Sequence, residues 1–270
     1  MAYLPIPKNA PDIGECIYCG NTEGNLQKEH ALPYGLNGPW TLLRASCADC
    51  ADITHRLERD TLRGLFPAVR AVLAMQTRHS KNKVGSLPLV LKSREETRTV
   101  EVPLAEYPLY LPTPIFPPPG AVTGRTSTHG LPTEIKFIHL SGPSFEEVVQ
   151  RHGVDAIGAR LNFAPDYFAR TIAKIAFGAA VFALGIPPLR NAPIRSSILG
   201  KDTNIGHWVG TWTGDLVNEA SGLHCMQIRT TGSDVHVILR LFSQFGAPEY
   251  HVVLGPADPA YVNSEAWPWK

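Results

Sequence analysis

Four cysteines, Cys16, Cys19, Cys47 and Cys50, form two C-x-x-C pairs, C-I-Y-C and C-A-D-C. Each pair turns tightly enough for both sulfurs to reach one ion, and two such pairs are the usual make-up of a four-thiolate zinc site. An ion held this way ties two distant segments together and restrains what lies between them, here the dipeptide Glu29-His30. Two disulfides are the weaker reading, because the chain shows no secretory pattern and 270 residues can build a core without staples. Redox chemistry is disfavoured, since neither pair sits between a strand and a helix of a thioredoxin-like pattern. A purely structural knuckle, with Glu29-His30 as an ordinary surface dipeptide, stays open. The gap between the pairs exceeds that of compact zinc ribbons, so something sizeable is looped out.

Composition sets broad limits. With 44% hydrophobic and 18% charged residues the chain is ordinary globular material, enough for one large or two modest domains. The formal net charge of +1 gives no global basic signature, so a nucleic-acid surface must be a local patch. The fifth cysteine, Cys225, is expected as a spare buried thiol in a reducing compartment. No run of eighteen apolar residues occurs, so no transmembrane helix is expected, and M-A-Y-L-P-I-P-K lacks a signal pattern, so a cytoplasmic location is expected.

Between the Cys pairs, Leu26 to His30 and Trp40 to Ala45 read as two strands joined by a long turn rich in Pro and Gly. Trp40 is expected in the core. A helix begins near Ala48, with Ile53, Leu57, Leu62, Leu65, Phe66, Val69, Val72 and Leu73 near helical spacing. Pro67 should kink it or start a second helix. Arg56, Arg59, Arg63 and Arg70 lie along it, followed by Arg78, His79, Lys81 and Lys83. Such a run is either a solvated face or a phosphate-binding one.

Taken together, C-x-x-C, E-H-A-L-P-Y-G-L-N-G and A-S-C-A-D-C-A-D-I-T-H-R-L-E resemble the HNH endonucleases that carry a four-Cys zinc site. The resemblance covers about the first 80 residues. It implies a ββα-metal unit, a β-hairpin followed by a helix that grips one divalent ion. It also implies hydrolysis of phosphodiester bonds, most readily in DNA, with His30 as general base and Glu29 as a ligand of catalytic Mg²⁺ or Mn²⁺. Many members carry Asn or His just after the second Cys pair; this chain has Ala51, Asp52 and, further on, His55. The resemblance favours Asp52 as the second ligand, because its place two residues past the second Cys pair matches the ligand position in related sites, and a carboxylate also suits Mg²⁺ or Mn²⁺. His55, three residues on and on the same helical face, is the alternative. Asn37 is a candidate for the middle Asn that pins the loop, with an ordinary asparagine of a Gly-rich turn as the alternative, and Thr54 and Glu58 are accessory candidates. Zinc on the four cysteines is then structural and closed to substrate.

The expected architecture is α+β. Residues 1–83 form the HNH-like unit, and residues 84–270 form an α+β domain with an antiparallel sheet and a long buried helix. Strands are expected at Leu87–Leu91, Thr97–Leu104, Glu134–Leu140, Trp208–Trp212, Met226–Thr230, Val235–Phe242 and Tyr250–Leu254, with a Gly232 hairpin turn. The proline-dense stretch from Val102 to Gly120 should be extended and packed on a surface, outside any helix or central strand. Ser144 with Glu147 predicts a capped short helix. Pro165 to Leu184 predicts the buried helix, on which Lys174 reads as a snorkelling side chain. No nucleotide loop, second metal cluster or repeat is visible in this half. Two rival functions stand beside the endonuclease. One is a zinc-stabilised nucleic-acid-binding module without cleavage. The other is a structural or regulatory protein acting through its C-terminal domain.

Overall fold

A computed structural model describes residues 11–77, 84–125, 130–158, 161–212 and 222–263. Arg78, His79, Lys81 and Lys83 of the basic run lie outside the described residues. The hairpin is formed by β1 (Gln27–His30) and β2 (Thr41–Ser46), antiparallel, with Glu29 opposite Leu42 and His30 opposite Thr41. Its long turn closes where Asn37 takes a left-handed conformation (φ 60°) and Gly38 presses on Leu32. A Cβ at Gly38 would stand 2.0 Å from the Leu32 carbonyl oxygen, so only glycine fits there.

Helix α1 (Ala48–Gly64) follows at once, with Cys47 as its extended N-cap residue. Its buried residues Cys50, Thr54, Leu57, Thr61 and Gly64 recur every three or four positions and form one stripe. Helix α2 (Pro67–Val72) starts on Pro67, where a missing N–H costs nothing. Strands β3 (Ser86–Lys92) and β4 (Thr97–Pro103) pair antiparallel. Strand β5 (Leu109–Ile115), then the short α3 (Gly120–Thr123), precede β6 (Glu134–Ser141), which pairs with β5. Prolines two apart put their missing donors on the same edge, so Pro112 and Pro114 leave the bonds to β6 intact. On the opposite edge the Pro114 carbonyl accepts from the Tyr250 hydroxyl at 2.8 Å. Helix α4 (Phe145–His152) carries the full capping box of Ser144 and Glu147. Strand β7 (Ala156–Gly158) then adds to β3; its three residues are too few to show a period in the sequence.

Helix α5 (Pro165–Leu184) has the bounds its sequence implies, from Pro165 at the first position to Gly185 beyond the end. It is long and apolar enough to cross a membrane, yet 83% of that stretch is buried inside the protein. The short α6 (Ile194–Ile198) and α7 (Ile205–Trp208) lead into β8 (Val209–Thr211). Next come β9 (His224–Thr231), β10 (Asp234–Leu241), β11 (Tyr250–Pro256) and the terminal turn α8 (Pro259–Val262). These strands form an antiparallel sheet in the order β8-β11-β10-β9. Gly232 (φ 60°) makes the expected β9–β10 turn.

The architecture is α+β with antiparallel sheets, and α5 packs against both this sheet and α1. The Thr61 and Thr171 hydroxyls meet at 2.9 Å where α1 and α5 cross. Gly178 lets α5 approach the hairpin, since a Cβ there would lie 2.9 Å from the Ala31 Cα. Tyr18 packs on Phe177 and Trp40 on Phe182, each with ring centroids 6.2 Å apart. One core therefore runs across the boundary expected at residues 83 and 84.

Candidate functional site

The four cysteines converge as their spacing implies. Cys16 and Cys19 sit in a turn closed by Gly20 N–H donating to the Cys16 carbonyl. Cys47 and Cys50 bracket the first turn of α1, where the helix dipole favours negative sulfur. All four sulfurs lie within 4.8 Å of one another, and Cys19 and Cys47 Sγ are 3.6 Å apart. A tetrahedral zinc with bonds near 2.3 Å separates its sulfurs by about 3.8 Å, so the group is positioned to hold a metal ion and suits structural zinc. The Cys50 thiol beside Cys16 draws the Cys16 pKa down to about 4 and pushes its own up. The knuckle is bolted to the C-terminal half. Arg195 Nε donates to the Tyr18 carbonyl at 2.9 Å, and Arg190 pairs with Glu15 at 2.6 Å. Cys225 is half-buried, and that burial raises its thiol.

A cavity of about 320 Å³ is lined by the end of β1, the following turn, α1, Arg70 of α2, and Gln76 and Thr77 beyond that helix. Its titratable side chains are Glu29, His30, Tyr34, His55, Glu58, Arg59, Arg63 and Arg70. A larger cavity, about 460 Å³, lies between β3 and β5 and is lined largely by apolar and aromatic groups such as Leu89, Tyr107 and Tyr110. The acid–base chemistry is therefore concentrated in the smaller one.

Pairing explains the positions. Glu29 alternates inward on β1 and is 3% exposed, whereas His30 is half-buried, its Nδ1 3.3 Å from Thr41 Oγ1. Lys174 is fully buried, not snorkelling. Its ammonium pairs with Glu29 at 2.7 Å and Glu58 at 2.5 Å, and it donates to the His30 carbonyl. Burial pushes Glu29 upward and the Lys174 charge pulls it partly back. Burial works against the Lys174 charge, but Glu29 and Glu58 outweigh it and its pKa rises. The Tyr18 hydroxyl is buried, and burial with the nearby Glu29 and Glu58 charges pushes its pKa up.

Asn37 Oδ1 accepts from Gln76 N–H at 2.8 Å and ties the hairpin turn to the segment after α2. The Thr54 hydroxyl is buried and bonded to the Ala51 carbonyl, internal to α1. Arg70 donates to the Gly35 carbonyl at 2.9 Å, and burial next to Arg63 lowers its pKa. Arg59 pairs with its neighbour Asp60 at 3.1 Å. Arg56 is exposed and does not line the cavity.

Asp52 requires a correction. It is exposed and outside the cavity, while His55 lines it. Three residues of helix rise 4.5 Å and turn 300°, which carries Asp52 a turn back toward the thiolates. With Asp52 elsewhere and Glu29 held by Lys174, these two carboxylates do not fit a shared Mg²⁺ or Mn²⁺. Among the described residues, the four cysteines are the only group of three or more such side chains drawn together tightly enough to hold an ion. The sequence reading missed Lys174 as a site residue; its signal was the one charge in the apolar run from Ile172 to Leu184. No family model, curated protein or solved structure matches the chain.

Proposed function

We propose that the protein is a nuclease that hydrolyses phosphodiester bonds in DNA, of HNH type in its hairpin and helix, with His30 as general base. The observation that carries this reading is one cavity holding two imidazoles, His30 and His55, together with Arg59, Arg63 and Arg70. A phosphodiester is a bulky anion, and guanidinium groups bind its oxygens through charge-assisted bonds. When His30 donates Nδ1–H to Thr41 Oγ1, its Nε2 keeps the lone pair that a base needs. His30 then takes a proton from water, the water oxygen attacks phosphorus, and His55 gives a proton to the departing oxygen. The arginines offset the charge that grows on the phosphate. No step runs through an ion shared by Glu29 and Asp52.

The test is His30→Ala. Zinc content, melting temperature and DNA affinity should stay unchanged, while plasmid nicking slows by about two to four orders of magnitude. Wild-type nicking in that variant overturns the assignment. The arginine cleft also supports a zinc-stabilised binding module without cleavage. That reading gains if the wild-type protein binds DNA or RNA tightly and leaves both intact.

A further inference from the structure

We propose that the Lys174 ammonium is the resident cation of the Glu29–Glu58 pair, taking at Glu29 the place that the resemblance to HNH enzymes gives to a divalent ion. Three oxygens converge on Nζ: one each from Glu29 (2.7 Å) and Glu58 (2.5 Å), and the His30 carbonyl. An ammonium has three N–H donors, so this set saturates it. Charge, carboxylate number and a backbone carbonyl are what a hard cation would find in the same spot.

The lysine is also held where it is. Thr171, Lys174 and Gly178 share one face of α5. Thr171 is bonded to α1, and Gly178 rests on the hairpin at Ala31, one turn to either side of Lys174. Lys174 is 0% exposed, so its head cannot swing into water without α5 leaving the core. A divalent ion approaching Glu29 meets a fixed positive charge. Because Lys174 also grips the His30 carbonyl, it sets the end of β1 that presents the imidazole. Lys174 does not line the cavity, so it is a positioning residue that acts through Glu29, Glu58 and His30. Its consequence for cleavage rests on the nuclease reading above. The ion-binding claim does not.

The experiment uses full-length, zinc-loaded protein and Mn²⁺ alone as the probe. Paramagnetic broadening of the histidine ring signals and electron-paramagnetic titration read binding near Glu29. The wild-type protein should show no broadening of His30 or His55, and Glu29→Gln should leave its Mn²⁺ isotherm unchanged. Lys174→Met should gain one Mn²⁺ site that Lys174→Met/Glu29→Gln loses. One wild-type Mn²⁺ that broadens His30 or His55, or that Glu29→Gln abolishes, overturns the proposal. If Lys174→Met does not fold, the wild-type spectrum alone decides. Cleavage that persists in chelator, at constant zinc content, supports the cation assignment. A protein inert on nucleic acid but without Mn²⁺ at Glu29 removes the nuclease reading and leaves the resident cation standing.

Discussion

Cys47 has two duties: its backbone caps α1 and its sulfur joins the four-thiolate group. Purified protein should carry about one zinc per chain, and Cys47→Ser should lose most of it by elemental analysis. Because structural zinc contributes folding energy directly, that variant should also lose the hairpin region. Zinc retained in Cys47→Ser would refute the site. Gly38 is the steric counterpart. Gly38→Ala drives a methyl group into the Leu32 carbonyl and should cost at least about 2 kcal/mol in denaturant melts. At this scale the sequence was legible where spacing is local: the four cysteines come together as their pattern implies, and strand alternation buries Glu29 while leaving His30 half-buried. The competition between Asp52 and His55 was not, because they share a helix and differ by one turn, and only the packed hairpin decides which one faces it. Lys174 was misread because its partners lie 145 and 116 positions away, beyond any local rule.

Among elements, the α1–α5 crossing offers a clean test. Thr171 Oγ1 meets Thr61 Oγ1 and the Tyr167 carbonyl inside a buried contact. Thr171→Val preserves shape but strands the Thr61 hydroxyl, so it should cost about 1–3 kcal/mol. Thr61→Val/Thr171→Val should recover part of that, and a double-mutant cycle measures the coupling. The corner between α6 and α7 adds a pH test. Asp202 accepts from the Asn204 N–H, the Ser197 hydroxyl and the Trp208 indole, which hold its carboxyl below the usual range. A depressed carboxylate stabilises the fold above its unfolded pKa and loses that contribution as pH falls through the folded one. Asp202→Asn should therefore cost about 1 kcal/mol near neutral pH, given its exposure, with the gap closing in acid melts. Helix α5 and the α4 cap were readable because Pro, Gly, Ser and Glu punctuate them. β7 was not, since β3 recruits it through pairing rather than through its own sequence.

For the molecule as a whole, the nuclease proposal makes DNA binding electrostatic, because three arginines line one cavity. Charge reversal at Arg59, Arg63 and Arg70 should weaken DNA binding and flatten its salt dependence, as read by titrations at several salt concentrations. Unchanged affinity and slope would show these side chains to be solvated decoration. The division near residue 83 was drawn from a change in composition, which does not report packing: Phe66 lies within 5.2 Å of Phe242 and 6.3 Å of Phe168, ring to ring. The same long reach orders events at the ribosome. The His30 carbonyl and its lysine are 144 positions apart. At elongation rates of about 5–20 residues per second, the hairpin emerges roughly 7–30 s before α5. Until then the two acids have no countercharge and the strand end carrying His30 has no anchor. The cleft thus acquires its shape late in synthesis, and under the nuclease proposal an unfinished chain does not cut.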